Sequence, residues 1–172
     1  MENYYFTSHE ITPVTMAILS LRDVNGDAVT RVIEEDAEYV VDHSPTKIID
    51  NACRFFGSSL KGRQDGTRDI SGITHKAPIS IDPSSGMYFF PTTSPSNRRC
   101  SWIAHSYIDK IRKAADRHTE IQFTNGRKII IATSYGSIMN QLQRTAQFRY
   151  LLDHRIRLFQ QYQTGAVGDP SQ

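Results

Sequence analysis

The chain has 172 residues, 38% hydrophobic and 22% charged, with a formal net charge of +2. That length is most simply one domain with a core of its own. No apolar run approaches the roughly 20 residues that span a bilayer. The opening residues, MENYYFTSHE, lack the basic-then-apolar order of a secretory signal. Two cysteines, Cys53 and Cys100, without such a signal point to a reducing, cytoplasmic setting.

The charge is unevenly spread. Residues 1–44 hold Arg22 and Arg31 against nine acids, a net of −7, and residues 45–172 hold eighteen bases against nine acids, a net of +9. Such asymmetry suits a polyanionic partner. It equally suits an acidic N-terminal unit that pairs with the basic remainder.

In chain order, residues 1–10 read as a loosely held arm. Val14–Leu21 and Ala28–Glu34 are rich in β-branched and aliphatic residues and flank Asn25-Gly26. Both turn residues tolerate positive φ, so the pattern predicts a hairpin. Glu38–Asp42 adds a third strand. Ser44 is a good N-cap and Pro45 suits the first helical position, where an N–H would be unpartnered anyway. Ile48, Ile49, Ala52, Cys53 and Phe56 recur on one helical face, and Gly57 tolerates the left-handed turn at the helix end.

Gly57, Ser58, Ser59, Gly62, Gly66 and Thr67 then surround Lys61, Arg63 and Arg68. The spacing predicts a flexible, glycine-punctuated cationic loop, suited to close approach to a polyanion; an ordinary solvated loop fits the same residues. Ile70–Thr74 is a short strand candidate. Ile79–Ile81 and Met87–Phe90 flank the turn residues 82–86. Met87-Tyr88-Phe89-Phe90 reads as a buried strand, with Tyr88 and Phe89 as the alternative base-stacking platform. Residues 92–101 form a polar loop that contains Arg98 and Arg99. Trp102, Ile103, Tyr107, Ile108 and Ile111 are spaced as in a helix, with Lys110, Arg112, Lys113 and Arg117 on its far side. Glu120–Thr124 and Arg127–Thr133 flank Asn125-Gly126, a second hairpin. Apolar residues from Ile138 to Ile156 predict a long last helix, and the tail after residue 163 reads as disordered. The whole is a single α+β domain over residues 1–163: antiparallel hairpins, about three helices and a long C-terminal helix.

No catalytic constellation stands out. Cys53, His75, Cys100 and His105 lack paired metal-ligand spacing. Helix periodicity buries Cys53. Cys100 is the better-exposed thiol, beside Arg98 and Arg99, which would lower its pKa. A thiol or zinc enzyme on these four residues is the alternative to a binding protein, and a single-strand binder is a third reading. The glycines match no phosphate-cradling motif, and no cofactor is implied.

The string Cys53-Arg54-Phe55-Phe56-Gly57-Ser58-Ser59, followed by Gly62-Arg63 and Gly66-Thr67, resembles the signature of ComK, a family of bacterial competence transcription factors. His75-Lys76, Pro78-Ile79, Asp82-Pro83, Phe90-Pro91-Thr92, Cys100, Trp102-Ile103 and His105 continue it in register, over roughly residues 10–155. The resemblance implies a cytoplasmic, nucleoid-associated activator of DNA-uptake genes. It implies recognition of paired AT-rich boxes through the minor groove by dimers that associate into tetramers, with RNA polymerase as a further partner. By residue type, Lys61, Arg63 and Arg68 suit groove entry, and Lys76, Arg98 and Arg99 suit clamping of phosphates. Ala77 departs from the family's usual proline. The longer tail that a protease adaptor engages in the family has no obvious counterpart before Gln172, which puts control by proteolysis through that tail in doubt.

Overall fold

The computed structural model of the protein describes residues 10–165. The arm expected over residues 1–10 and the tail expected after residue 163 therefore lie almost wholly outside the described residues. Nine strands and three α-helices follow in the order β1 (Thr15–Arg22), β2 (Ala28–Glu34), β3 (Glu38–Val41), α1 (Pro45–Phe55), α2 (Leu60–Ser71), β4 (Ile79–Asp82), β5 (Met87–Pro91), β6 (Trp102–Ala104), β7 (Ile108–Lys113), β8 (Thr119–Phe123), β9 (Lys128–Ile131) and α3 (Tyr135–Gln163). This is the expected α+β domain. A six-stranded sheet runs β3-β2-β1-β6-β5-β4 and a three-stranded sheet runs β7-β8-β9, all through antiparallel pairs.

The six-stranded sheet is covered on both faces. Ile18, Val32, Phe89 and Trp102 pack with Ile48, Ile49 and Cys53 of α1. Met16, Leu19, Ile33, Phe90 and Ile103 pack with Ile121, Phe123 and Ile129 of the second sheet and Ile138 of α3. A strand buried on both sides has no polar face to show, which is why β5 reads as a continuous apolar run. Tyr88 and Phe89 are each 1% exposed, so neither ring is available to stack on a base. Trp102 is fully buried and its indole N–H donates to Thr46 Oγ1 (3.2 Å), tying the sheet to the start of α1. A buried tryptophan removes about 200 Å² from water, an upper bound of roughly 5 kcal/mol.

Both hairpin signals hold, with Gly26 at φ +82° and Gly126 at φ +86°. So does the α1 cap, where Ser44 Oγ accepts the Lys47 N–H. Three expectations are corrected. The glycine-rich stretch is a helix, α2, not a flexible loop. Its glycines each cost about 1 kcal/mol in helix propensity relative to alanine, but tertiary contacts outweigh that. Leu60 and Thr67 are buried, and Thr67 Oγ1 lies 2.7 Å from the Pro78 carbonyl and 3.0 Å from its own helix's Arg63 carbonyl. Ser59 Oγ accepts the Gly62 N–H (3.0 Å), and Gly72 ends the helix at φ +75°. A Cβ at Gly62 would come within 2.8 Å of Ser58 Oγ, so the glycine serves close packing of the turn.

The strand expected over Ile70–Thr74 is the end of α2 and its Gly72 cap. The helix expected from Trp102 to Ile111 is instead β6, a short 3-10 turn and β7. The register shift between Ile108 and Lys110 explains the misreading. A bulge inserts one residue, so Ile108 and Ile111 share a face at helical spacing within a strand.

Candidate nucleic-acid interface

Asp50 organises the α1–α2 corner. Its carboxylate accepts the Leu60 N–H (2.9 Å) and pairs with Arg54 Nε (2.9 Å). Burial alone would raise this carboxyl, but the Leu60 bond and the Arg54 pair together hold it below the ordinary aspartate range. The corner therefore sets where α2 begins and where Lys61 stands.

The β5–β6 loop is braced from within and from β1. Thr92 N–H donates to Ser101 O (2.8 Å), Asn97 N–H to Ser94 O (2.9 Å) and Cys100 N–H to Asn97 O (3.0 Å). Asn97 Oδ1 accepts the Arg99 N–H (2.9 Å). Ser20 contributes twice: its hydroxyl donates to Arg98 O (3.3 Å) and its N–H donates to Ser101 Oγ (2.9 Å). Arg98 and Arg99 are exposed, and their guanidinium groups make no ion pair or hydrogen bond among the described residues.

Two clefts flank this loop. One, of about 440 Å³, lies against the two helices and is lined by Lys47, Asp50, Lys61, Gln64, Asn97 and Arg98. The other, of about 620 Å³, lies against β1, β2 and the second sheet and includes Arg22, Arg31, Asn97, Arg98, Arg99 and His118. Asn97 and Arg98 belong to both walls. Lys61 is highly exposed at 83%, with Asp65 at 3.3 Å. Arg22 Nη1 donates to Gly26 O (2.8 Å), and Arg31 is committed to Glu38.

The six basic residues singled out from sequence are thus divided. Lys61 shares one cleft with Arg98, and Arg98 shares the next with Arg99. Arg63, Arg68 and Lys76 line neither. Arg63 turns inward from α2, its Nη2 donating to Ile81 O (3.2 Å) and its Nε buried without a partner. Arg68 pairs with Asp65 (3.1 Å) on the outer face of α2. Lys76 adopts φ +46° against α3, where Gln141 Nε2 donates to its carbonyl (2.9 Å). Lys47, Arg22 and Arg31 escaped sequence reasoning. The two arginines sat in the acidic segment and were counted only against its charge. Part of that acidity is internal, because Glu38 bonds to both Arg31 and Arg127, and these bonds, led by Arg31, hold its carboxyl low despite partial burial.

The alternative thiol site is corrected too. Cys100 is buried, not exposed, and burial pushes its thiol up in spite of bonds around Thr93. Cys53 is buried and pushed up to about 11, chiefly by burial. His105 is held low by burial and then by Arg149, while His75 is exposed. Among the described residues, no group of three or more His, Cys, Asp or Glu side chains is placed to hold a metal ion, and no helix is long and apolar enough to cross a membrane.

Fold and surface together define a class: an α+β domain that presents unpaired arginines on a braced loop between two basic clefts. The ComK protein family model matches residues 6–157, and the chain belongs to that family. It is 36% identical over 159 residues to the competence transcription factor of Bacillus subtilis (strain 168), covering 90% of this chain and 82% of that protein. No solved structure matches the chain.

Proposed function

We propose that this protein is a cytoplasmic, non-enzymatic activator of competence genes that binds duplex DNA at paired A/T-rich boxes through the minor groove, as a dimer able to form tetramers. The relative's role as a competence transcription factor and the family membership support the regulatory part. The observation that carries the DNA part is Arg98: an unpaired guanidinium on a braced loop, forming a wall of two basic clefts. A/T-rich minor grooves are narrow and strongly negative, and they attract arginine. Lys61 and Arg99 stand beside it, Arg68 and Lys76 extend the contact along the helical side, and Arg63 supports α2 from beneath. RNA polymerase is the downstream partner in this reading.

If these five basic side chains, Lys61, Arg68, Lys76, Arg98 and Arg99, each neutralise a phosphate, the log–log salt slope is about −4.5. Fluorescence anisotropy on one duplex across a salt series, repeated on its separated strands, tests this. Steep salt dependence with preference for the duplex is expected. Salt-independent affinity, or tighter binding to single strands, contradicts it.

A further inference from the structure

We infer that the β5–β6 loop enters the minor groove as a finger and that each flanking cleft seats one of the two sugar–phosphate strands. Lys47 and Lys61 grip one strand, and Arg22 and Arg99 grip the other. This rests on the duplex-binding reading above and assigns its geometry.

The argument begins with the groove. The minor groove is only about 6 Å wide, so anything inserted between its walls has a phosphate strand on each flank. The loop has the complementary relief. It is a ridge with Asn97 and Arg98 common to both sides, and each side opens into a cleft of its own. Two basic flanks match a groove with two anionic walls.

Charge within each cleft agrees. On the helical side, Lys47 and Lys61 come from different helices and converge on one opening. The carboxylate lining that opening, Asp50, is already engaged by Leu60 and Arg54. On the sheet side, Arg31 is neutralised by Glu38, which leaves Arg22 and Arg99 as the grips. Arg22 spends one N–H on Gly26 and keeps others for a phosphate. At the ridge, Asn97 commits its Oδ1 to the Arg99 N–H. Its amide N–H donors have no partner among the described residues. The minor groove of an A·T pair presents only acceptors, adenine N3 and thymine O2, so a donor-only ridge suits it. The brace from Ser20 and the loop's own turns fix the ridge before binding, which lowers the ordering cost.

Single methylphosphonates, which are uncharged, can be stepped along either strand of an A/T-box duplex and read by fluorescence anisotropy with wild type, Lys47→Gln, Arg22→Gln and Arg99→Gln. All three side chains are exposed, and circular dichroism melts check that the variants fold. Wild type is expected to lose affinity at positions on both strands. Within one box, Lys47→Gln loses sensitivity at positions on one strand only, and Arg22→Gln and Arg99→Gln lose it at positions on the opposite strand only. Each variant flattens the log–log salt slope by about one. If wild type binds the duplex but all variants lose sensitivity on the same strand of a box, or none loses it, the two-cleft arrangement is overturned while duplex binding stands. Failure of wild type to bind duplex removes the underlying reading and this inference together.

Discussion

Replacing Asp50 with alanine tests the corner that positions α2. Two interactions go at once. The Leu60 N–H loses a charged acceptor at 2.9 Å, and Arg54 loses its partner. A hydrogen bond to a charged group is worth about 1.5–3 kcal/mol. Asp50 keeps 25% side-chain exposure, so solvent takes part of that and the low end, about 1.5 kcal/mol, applies. The Arg54 pair is an i,i+4 contact with the arginine 64% exposed, worth roughly 0.3–0.5 kcal/mol. The total is about 2 kcal/mol, and at roughly 2–4 °C per kcal/mol for a domain of this size the melting midpoint falls by about 4–8 °C at neutral pH. Arg54→Ala removes only the pair and shifts it by about 1–2 °C. The sign with pH follows from the lowered carboxyl. Its stabilisation is complete above the ordinary aspartate value of 3.8 and is lost as pH falls from there through the lower folded value. Wild type and Asp50→Ala therefore converge in acid. Calorimetric or circular dichroism melts across pH are the assay. An Asp50→Ala shift no larger than that of Arg54→Ala, or a gap that widens in acid, would refute the reasoning.

Three further outcomes follow from the packing. Gln141 is buried and its Nε2 serves the carbonyls of Lys76 (2.9 Å) and Pro91 (2.8 Å); Gln141→Leu strands both and costs about 2–4 kcal/mol, read as a lower denaturant midpoint with unchanged m-value. Arg63→Ala removes the tie to Ile81 O, so thermal melts should show destabilisation of about 1–2 kcal/mol, and its DNA affinity below the transition should fall less than that of Arg98→Ala. With Cys53 raised to about 11, its thiolate fraction at about pH 8 is on the order of 10²-fold below that of an ordinary cysteine. A thiol-reactive dye should therefore label neither cysteine quickly in the native protein and both in denaturant; rapid native labelling of Cys53 contradicts the burial.

Where local chemistry decides, the sequence was readable. Asn25-Gly26, Asn125-Gly126 and Ser44-Pro45 each act within a few residues and give the turn or cap expected, although in the two turns the glycine and not the asparagine takes the positive φ. Met87–Phe90 was legible as core because a strand with two covered faces leaves a continuous apolar run. α2 was hidden because its support is distant: Pro78 and Ile81 receive the bonds that override its glycines. The Ser59 cap and the Lys61/Asp65 and Asp65/Arg68 spacings were the local signals that could have found it. β7 was hidden by its bulge. Among the basic residues, type offers Lys61, Arg63, Arg98 and Arg99 alike, and only tertiary structure shows that Lys61 and Arg98 line one cleft while Arg63 faces inward.

The most direct test of the account is the affinity of wild type and Arg98→Ala for two duplexes of equal length, one with paired A/T boxes a helical turn apart and one with G·C pairs in their place, at one fixed salt concentration. Arg98 is exposed and its side chain makes no hydrogen bond or ion pair among the described residues, so the variant should fold as wild type does. Wild type should prefer the A/T duplex by at least about tenfold, the scale of one mismatched base pair, and Arg98→Ala should bind both duplexes weakly and alike. Equal wild-type affinity for the two duplexes, or an undiminished A/T preference in Arg98→Ala, would contradict minor-groove reading by this loop.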